Sequence, residues 1–211
     1  LAPKQVEAIK TALTKKVSIV TGGPGTGKTT ILKFLLYLYK NNVKANYAAA
    51  EDEEDPGVLL LSPTGKAARR MADSSGEPAY TIHKALGLVP REDEEVFDHG
   101  EELLTDDIGL VVMDESSMTD MSIMFELVSS IPQDAQFVCI GDVDQLPSVG
   151  AGAVLKDMIE SGVIPVVRLD VIYRQGKTSL IVKNAQAIRT GNTKLETSLS
   201  EFPFFATPFT K

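Results

Sequence analysis

Apolar residues fall along this chain in short runs, and polar clusters follow most of them. Val17, Ile19 and Val20 open the series, and Val58-Leu59-Leu60-Leu61 comes next. Leu110-Val111-Val112-Met113, Phe137-Val138-Cys139-Ile140 and the stretch Val163 to Leu169, interrupted by Pro165, complete it. Short apolar runs bounded by turn residues predict strands buried on both faces. Between the runs the apolar spacing changes to three and four. Val6, Ile9 and Leu13 predict a helix over Leu1 to Leu13, with Pro3 at its start. Lys28 to Tyr39, Lys66 to Asp73, Met118 to Ser129, Ala153 to Ile159 and Ser179 to Ile188 read as further helices. Thr81 to Gly87 reads as a capped helical turn closed by glycine. Strands alternating with helices at this pitch predict an α/β domain, a parallel sheet with helices on both faces.

Two polar stretches interrupt the pattern. Asn41 to Gly57 is acidic and reads as a loop ending in the turn Pro56-Gly57. Leu88 to Asp107 is too polar for core and is expected to form a small projecting hairpin. These stretches also explain the charge. The chain carries −8 overall, but Glu51 to Asp55 holds five acidic residues and Glu92 to Asp107 holds nine, with no Lys or Arg in either. Outside them 15 acidic residues face 21 basic ones, so the body can present a basic face to phosphates. At 211 residues one domain is expected, and no apolar run approaches the ~20 residues of a membrane span. Cys139, the one cysteine, reads as a buried strand thiol, which fits a reducing cytosol. The chain opens on Leu1 rather than methionine and closes on the apolar Phe202-Pro203-Phe204-Phe205, so a piece of a longer protein is expected.

The first run leads into the most informative stretch, VSIVTGGPGTGKTT at 17–30. Gly22, Gly27, Lys28 and Thr29 meet the pattern G-x-x-x-x-G-K-[ST] between a strand and a helix. Glycines let the backbone curl so that several N–H groups face one anion, and the helix adds its positive end. Lys28 suits the β- and γ-phosphates, and the Thr29 hydroxyl suits Mg²⁺.

Polar clusters also follow the other strands, and ligands of open parallel sheets sit at those carboxyl ends. After the second run comes Thr64, after the third Asp114-Glu115, and after the fourth Asp142 to Gln145. One such cluster is an ordinary turn or helix cap; four around a phosphate loop are hard to dismiss. Asp114 suits Mg²⁺, which prefers few carboxylates plus phosphate oxygens. Glu115 suits a base that orients and deprotonates water for in-line attack. Gln145 can bridge the γ-phosphate and that water, and Arg174 is a candidate cation for the transferred group. Gln5 reads from spacing alone as a surface residue, and His83 alone as a satisfied one. Lys66, Arg69 and Arg70 on one short helix are equally compatible with a solvated face and a phosphate-facing one. Three functions stay open on residues alone: an ATP hydrolase, a phosphotransferase of the P-loop class, and a non-catalytic nucleotide-sensing module. Glu115 and Gln145 count against the phosphotransferase, since they activate water.

Taken together, these stretches resemble the RecD-like superfamily 1 DNA helicases, among them the alpha subunit of exodeoxyribonuclease V and its stand-alone relatives. The likeness rests on Pro3-Lys4-Gln5-Val6-Glu7-Ala8, GGPGTGKTT at 22–30, SPTGKAARRM at 62–71, TIHKALG at 81–87, VVMDESSM at 111–118, GDVDQLPSVGAG at 141–152 and YRQ at 173–175. It implies a RecA-like P-loop fold, the first of two motor domains, spanning 1–211 with an inserted hairpin near 88–107 and the second motor domain absent. It implies ATP and Mg²⁺ as cofactors, with Gly23, Pro24, Gly25, Thr26, Gly27, Lys28, Thr29 and Thr30 around the nucleotide, Gln5 on the adenine edge and Arg174 on the γ-phosphate. It implies that Pro63, Thr64, Gly65, His83, Pro147, Ser148 and Val149 contact single-stranded DNA. The implied activity is 5′ to 3′ translocation and unwinding at duplex junctions in DNA repair and recombination, in a bacterial cytoplasm, with other exodeoxyribonuclease subunits as partners. The acidity of 88–107 departs from a wedge that touches DNA. A single motor domain is expected to bind nucleotide, hydrolyse it poorly and unwind nothing by itself.

Overall fold

β1 (Val17–Gly22) sits one strand from the edge of a six-stranded sheet in which every pairing is parallel. The computed structural model describes residues 1–47, 57–90, 97–99, 102–171, 180–189, 191–192 and 195–196. Along the chain, α1 (Pro3–Thr14) precedes β1, and α2 (Lys28–Tyr47) follows it. Next come β2 (Gly57–Ser62), α3 (Gly65–Ser75), β3 (Ala79–Thr81) and the short α4 (Ile82–Ala85). β4 (Leu88–Pro90) and β5 (Phe97–His99) pair antiparallel as a separate two-stranded ribbon. β6 (Ile108–Met113), α5 (Met121–Ser130), β7 (Gln136–Gly141), α6 (Val154–Glu160) and β8 (Val166–Leu169) complete the sheet and its covers. The strand order is β3-β2-β6-β7-β1-β8.

Both faces of the sheet are buried, which is why the strands read as unbroken apolar runs. Val20, Leu60, Val112, Val138 and Ile140 pack with Ala8, Ala12, Ile31 and Leu35 of α1 and α2. Ile19, Leu61, Val111, Met113 and Cys139 face the other way, onto Ile82, Leu127 and Leu155 of α4, α5 and α6. Full burial of each such aliphatic side chain contributes about 1.5–3 kcal/mol. Burial pushes the Cys139 thiol up to about 12, as expected of a strand thiol held in the core.

Several elements depart from the sequence reading. α2 continues to Tyr47, so Asn41 to Tyr47 is helix rather than loop; Asn41 bonds back to the Tyr37 carbonyl, 2.7 Å, and no Gly or Pro stops the helix there. β3 has three residues, too few for any periodicity to announce it. β8 begins after Pro165, whose carbonyl accepts from the Ile19 N–H at 2.9 Å, while Val163 lies exposed. The insert is not all polar: Leu104 joins the core, and the Leu103 N–H donates to the Ala85 carbonyl at 2.9 Å. The acidic run 51–55 lies outside the described residues.

Residues 1–170 and 171–211 form two compact units. In the second, α7 (Leu180–Arg189) carries a buried Asn184, whose amide accepts from the Glu196 N–H at 2.9 Å and donates to its carbonyl at 2.5 Å.

Candidate functional site

β1 ends at Gly22, and residues 23–27 turn the chain into α2. Gly25 and Gly27 have φ of 80° and 92°, a region closed to most side chains. The buried Thr26 closes the turn by donating to the Gly23 carbonyl at 2.8 Å. The Lys28 ammonium folds back over the loop and donates to the carbonyls of Gly22, 2.6 Å, and Gly23, 3.2 Å. Pro24, Thr29 and Thr30 are exposed, the last two on the first turn of α2, where N–H groups and the helix dipole favour an anion.

Gln5 belongs to this loop. It is 7% exposed, against the surface position that its spacing suggests. Its Oε1 accepts from the Ala2 N–H at 3.0 Å and its Nε2 donates to the Thr26 carbonyl at 3.2 Å. A Cβ added to Gly27 would lie 2.3 Å from that Nε2. The packing of α1 beside α2 turns this amide inward.

The third polar cluster stands two strands away, across β7. The Asp114 N–H donates to the Leu61 carbonyl of β2 at 2.9 Å, which fixes the turn after β6. Burial raises the pKa of the Asp114 carboxyl above the usual range. The Glu115 N–H, 2.8 Å from its Oδ1, lowers it, the Glu115 charge raises it, and the Lys28 charge lowers it. Glu115 has φ 56° and is the one non-glycine residue with positive φ among the described residues. Among the described residues no donor reaches its buried Oε2. Strain of this kind persists only where the surroundings impose it. Here Ser116 anchors the following 3₁₀ turn (Ser116–Met118) by donating to the Ile140 carbonyl at 2.9 Å.

The fourth cluster is tied to β1. The Val143 N–H donates to Thr21 Oγ1 at 3.4 Å, and the buried Asp142 accepts from the Asp144 N–H at 3.1 Å. Gln145 is exposed and lines an open hollow of about 230 Å³ with Ser117, Pro147 and Lys156. Arg174 lies outside the described residues. Among the described residues no group of three or more His, Cys, Asp or Glu could hold a metal. A Mg²⁺ that takes most of its ligands from phosphate and water would need few protein oxygens, and the two that the sequence offers for it are the Thr29 hydroxyl and the Asp114 carboxylate.

The loops expected to touch DNA are differently built. Thr64 caps α3, its Oγ1 accepting from the Ala67 N–H at 3.3 Å, and Gly65 beside it faces open space. Pro63 and His83 are half-buried, His83 on α4. Ser148 donates to the carbonyls of Gly150, 3.0 Å, and Gly152, 3.3 Å, and Val149 is fully exposed. Sequence reasoning gave no role to Thr21 and Ser116, although both lie within stretches singled out there, 17–30 and 111–118. It also missed Asp120, which the expected helix Met118 to Ser129 enclosed, whereas the structure has a 3₁₀ turn over Ser116–Met118 and starts α5 at Met121 with Asp120 as its cap.

The sheet order, the loop at 22–30 and the carboxylates beyond the next strands define a P-loop nucleotide-binding domain of RecA-like fold. Residues 1–201 match the AAA domain family, to which the chain belongs. It is 36% identical over 206 residues to the RecBCD enzyme subunit RecD of Mycolicibacterium smegmatis, covering 90% of this chain and 36% of that protein. To the ATP-dependent RecD2 DNA helicase of Deinococcus radiodurans it is 33% identical over 193 residues, covering 90% and 24%. The chain thus spans about a quarter to a third of the length of these relatives. Among solved structures, Bacteroides Pif1 bound to single-stranded DNA matches with a TM-score of 0.62 at 22% identity, over 92% of this chain and 47% of that one. Pif1 helicase from Candida albicans matches with 0.63 at 20% identity, over 90% and 44%. These two share the fold.

Proposed function

We propose that this chain is the ATP-hydrolysing motor domain of a DNA helicase that moves 5′ to 3′ along single-stranded DNA and opens duplex junctions in DNA repair and recombination. The observation that carries it is that the polar clusters following β2, β6, β7 and β1 lie at the carboxyl ends of four adjacent parallel strands. The names of the relatives support the substrate, since RecD2 is a DNA helicase and the Pif1 structure holds single-stranded DNA.

In this proposal Lys28 turns from its own loop carbonyls to the phosphates, and the N–H groups of 23–30 hold the rest of the chain of phosphates. Thr29 and Asp114 would hold Mg²⁺. Bound MgATP supplies a phosphoanhydride bond whose cleavage by water is strongly favourable. Glu115 takes the proton of that water. Its Oε2 accepts no hydrogen bond from the described residues, so a lone pair is left for that task. Gln145 orients the same water, and Arg174 steadies charge on the transferred γ-phosphoryl group. Gln5 reads the adenine edge. Pro63, Thr64, Gly65, His83, Pro147, Ser148 and Val149 form a phosphate track with hydroxyls and backbone and little means of base readout. Partners of the exodeoxyribonuclease kind follow from the RecBCD relatives, and a cytoplasmic setting follows with them.

The test is ATP hydrolysis by the full-length parent with and without oligothymidylate. Stimulation by the single strand, lost in Glu115→Gln while ATP binding is kept, supports the motor. Phosphate transferred to an added acceptor, or unchanged behaviour of Glu115→Gln, overturns it in favour of a phosphotransferase or a sensor.

A further inference from the structure

Resting on that motor reading, we propose that Asp120 is a positioning residue: its side chain, pressed against Gly150, joins the segment that carries Glu115 to the loop that carries Ser148 and Val149. Seven residues, 115–121, run from the strained Glu115 to the first turn of α5. Three contacts hold the near end. Ser116 donates to the Ile140 carbonyl at 2.9 Å, the Met118 N–H reaches the Glu115 carbonyl at 3.1 Å, and Thr119 lies 3.9 Å from the Met113 sulfur. The far end is gripped by the 148–152 loop. The Met121 N–H donates to the Ala151 carbonyl at 3.0 Å. Asp120 caps α5 with Oδ1, which accepts from the Ile123 N–H at 3.0 Å. Its remaining side-chain atoms meet Gly150 so closely that an added Cβ there would lie 2.5 Å from Oδ2, 2.7 Å from Cβ and 2.8 Å from Cγ.

This packing gives Gly150 a reason that its own backbone does not. The nearest atoms to its missing Cβ all belong to one side chain, and that side chain continues the segment holding Glu115. The loop is stiffened on the same side, because Ser148 bonds the carbonyls of Gly150 and Gly152. A strand pressing on Ser148 and Val149 therefore pushes on Asp120 through Gly150, and a shift of Asp120 acts on a backbone already out of its relaxed region at Glu115. A contact between two close-packed groups transmits displacement because neither side can absorb it.

A mere brace and a coupling joint make different predictions. The measurement is the ratio of ATP turnover at saturating oligothymidylate to turnover without it, in the full-length parent, beside ATP affinity and thermal stability. Gly150→Ala drives a methyl into Asp120, and Asp120→Gly empties the contact while leaving an acceptable helix cap. Each is expected to keep basal turnover and ATP affinity within about twofold and to lower the stimulation ratio at least fivefold. The double variant Asp120→Gly/Gly150→Ala refills the contact from the other side and is expected to recover half or more of the lost ratio, as touching residues do and distant ones do not. Stimulation within twofold of wild type in both single variants overturns the inference. So does a loss of basal and stimulated turnover together, or a double variant no better than the worse single one. A wild-type parent that shows no stimulation overturns the motor reading as well, and it is told apart because no variant is needed to see it.

Discussion

Glu115 and Asp114 each hold a conformation or a charge that the fold alone would not choose. A non-glycine residue held in the left-handed region costs about 1–3 kcal/mol, and Glu115 bears that strain with a buried oxygen that no described residue satisfies. Glu115→Asn brings an amide side chain that tolerates this backbone and removes the carboxyl whose buried Oε2 has no donor among the described residues. It is expected to raise Tm by about 2–4 °C for each 1 kcal/mol recovered, while turnover falls by about 10²–10⁴; calorimetry and phosphate release on one preparation check both halves. Asp114 makes a related case through pH. Burial raises its folded pKa, so between the ordinary carboxylate value and the raised one the native state binds a proton that the unfolded state does not. Stability therefore falls as pH rises through that window, and the loss persists above it. Asp114→Asn is expected to remove this pH dependence and to be the more stable protein at neutral pH. In the wild type, Mg²⁺-dependent nucleotide binding is expected to weaken as pH drops into the same window. Melting curves across the carboxylate range, with wild type and variant side by side, decide it.

The phosphate loop works as an element because α1 closes it from outside. Gln5 spans the Ala2 N–H and the Thr26 carbonyl, and Gly27 leaves room for its amide. Gly27→Ala meets both the φ of 92° and Gln5 itself. It is expected to weaken ATP binding more than tenfold and to lower stability, read by nucleotide titration and thermal melting. Gln5→Ala leaves the turn's glycines alone. Its expected signature is a lost preference for ATP over other nucleoside triphosphates, measured as the ratio of their Kd values. Gln5 also marks where the sequence stops being legible without a family likeness. Its helical position describes one helix, whereas its burial comes from a loop 21 residues on. The strands were legible because burial on both faces leaves a continuous apolar signature, as at Leu59-Leu60-Leu61 and Val111-Val112-Met113. β3 was not, since three residues on a sheet edge leave no period to detect. That the carboxylates after β6 and the loop after β1 share one end of the sheet was legible from the strand pattern, but the left-handed backbone at Glu115 had no residue-type signal, because glutamate does not favour it.

At the scale of the molecule, one sheet presents a nucleotide loop, two carboxylates and two candidate DNA loops along a single edge. In the motor reading proposed above, hydrolysis becomes movement when one domain closes on another around the nucleotide and releases it afterwards. The RecD relatives are about three to four times longer than the part matched here, which leaves ample chain for such a partner. The expected outcome is a division of labour. Residues 1–211 alone bind ATP with an affinity close to that of the parent, since the loop and Gln5 are complete within them. Their turnover is expected to be lower by two orders of magnitude or more, because any donor reaching the γ-phosphate from a second domain is missing, and their strand separation is expected to be absent. A forked duplex with a fluorophore and quencher at its junction reads unwinding, and phosphate release on the same sample reads turnover. Strand separation by residues 1–211 at a rate near that of the parent would place the whole stroke inside one sheet, and the two-domain mechanism would have to be given up.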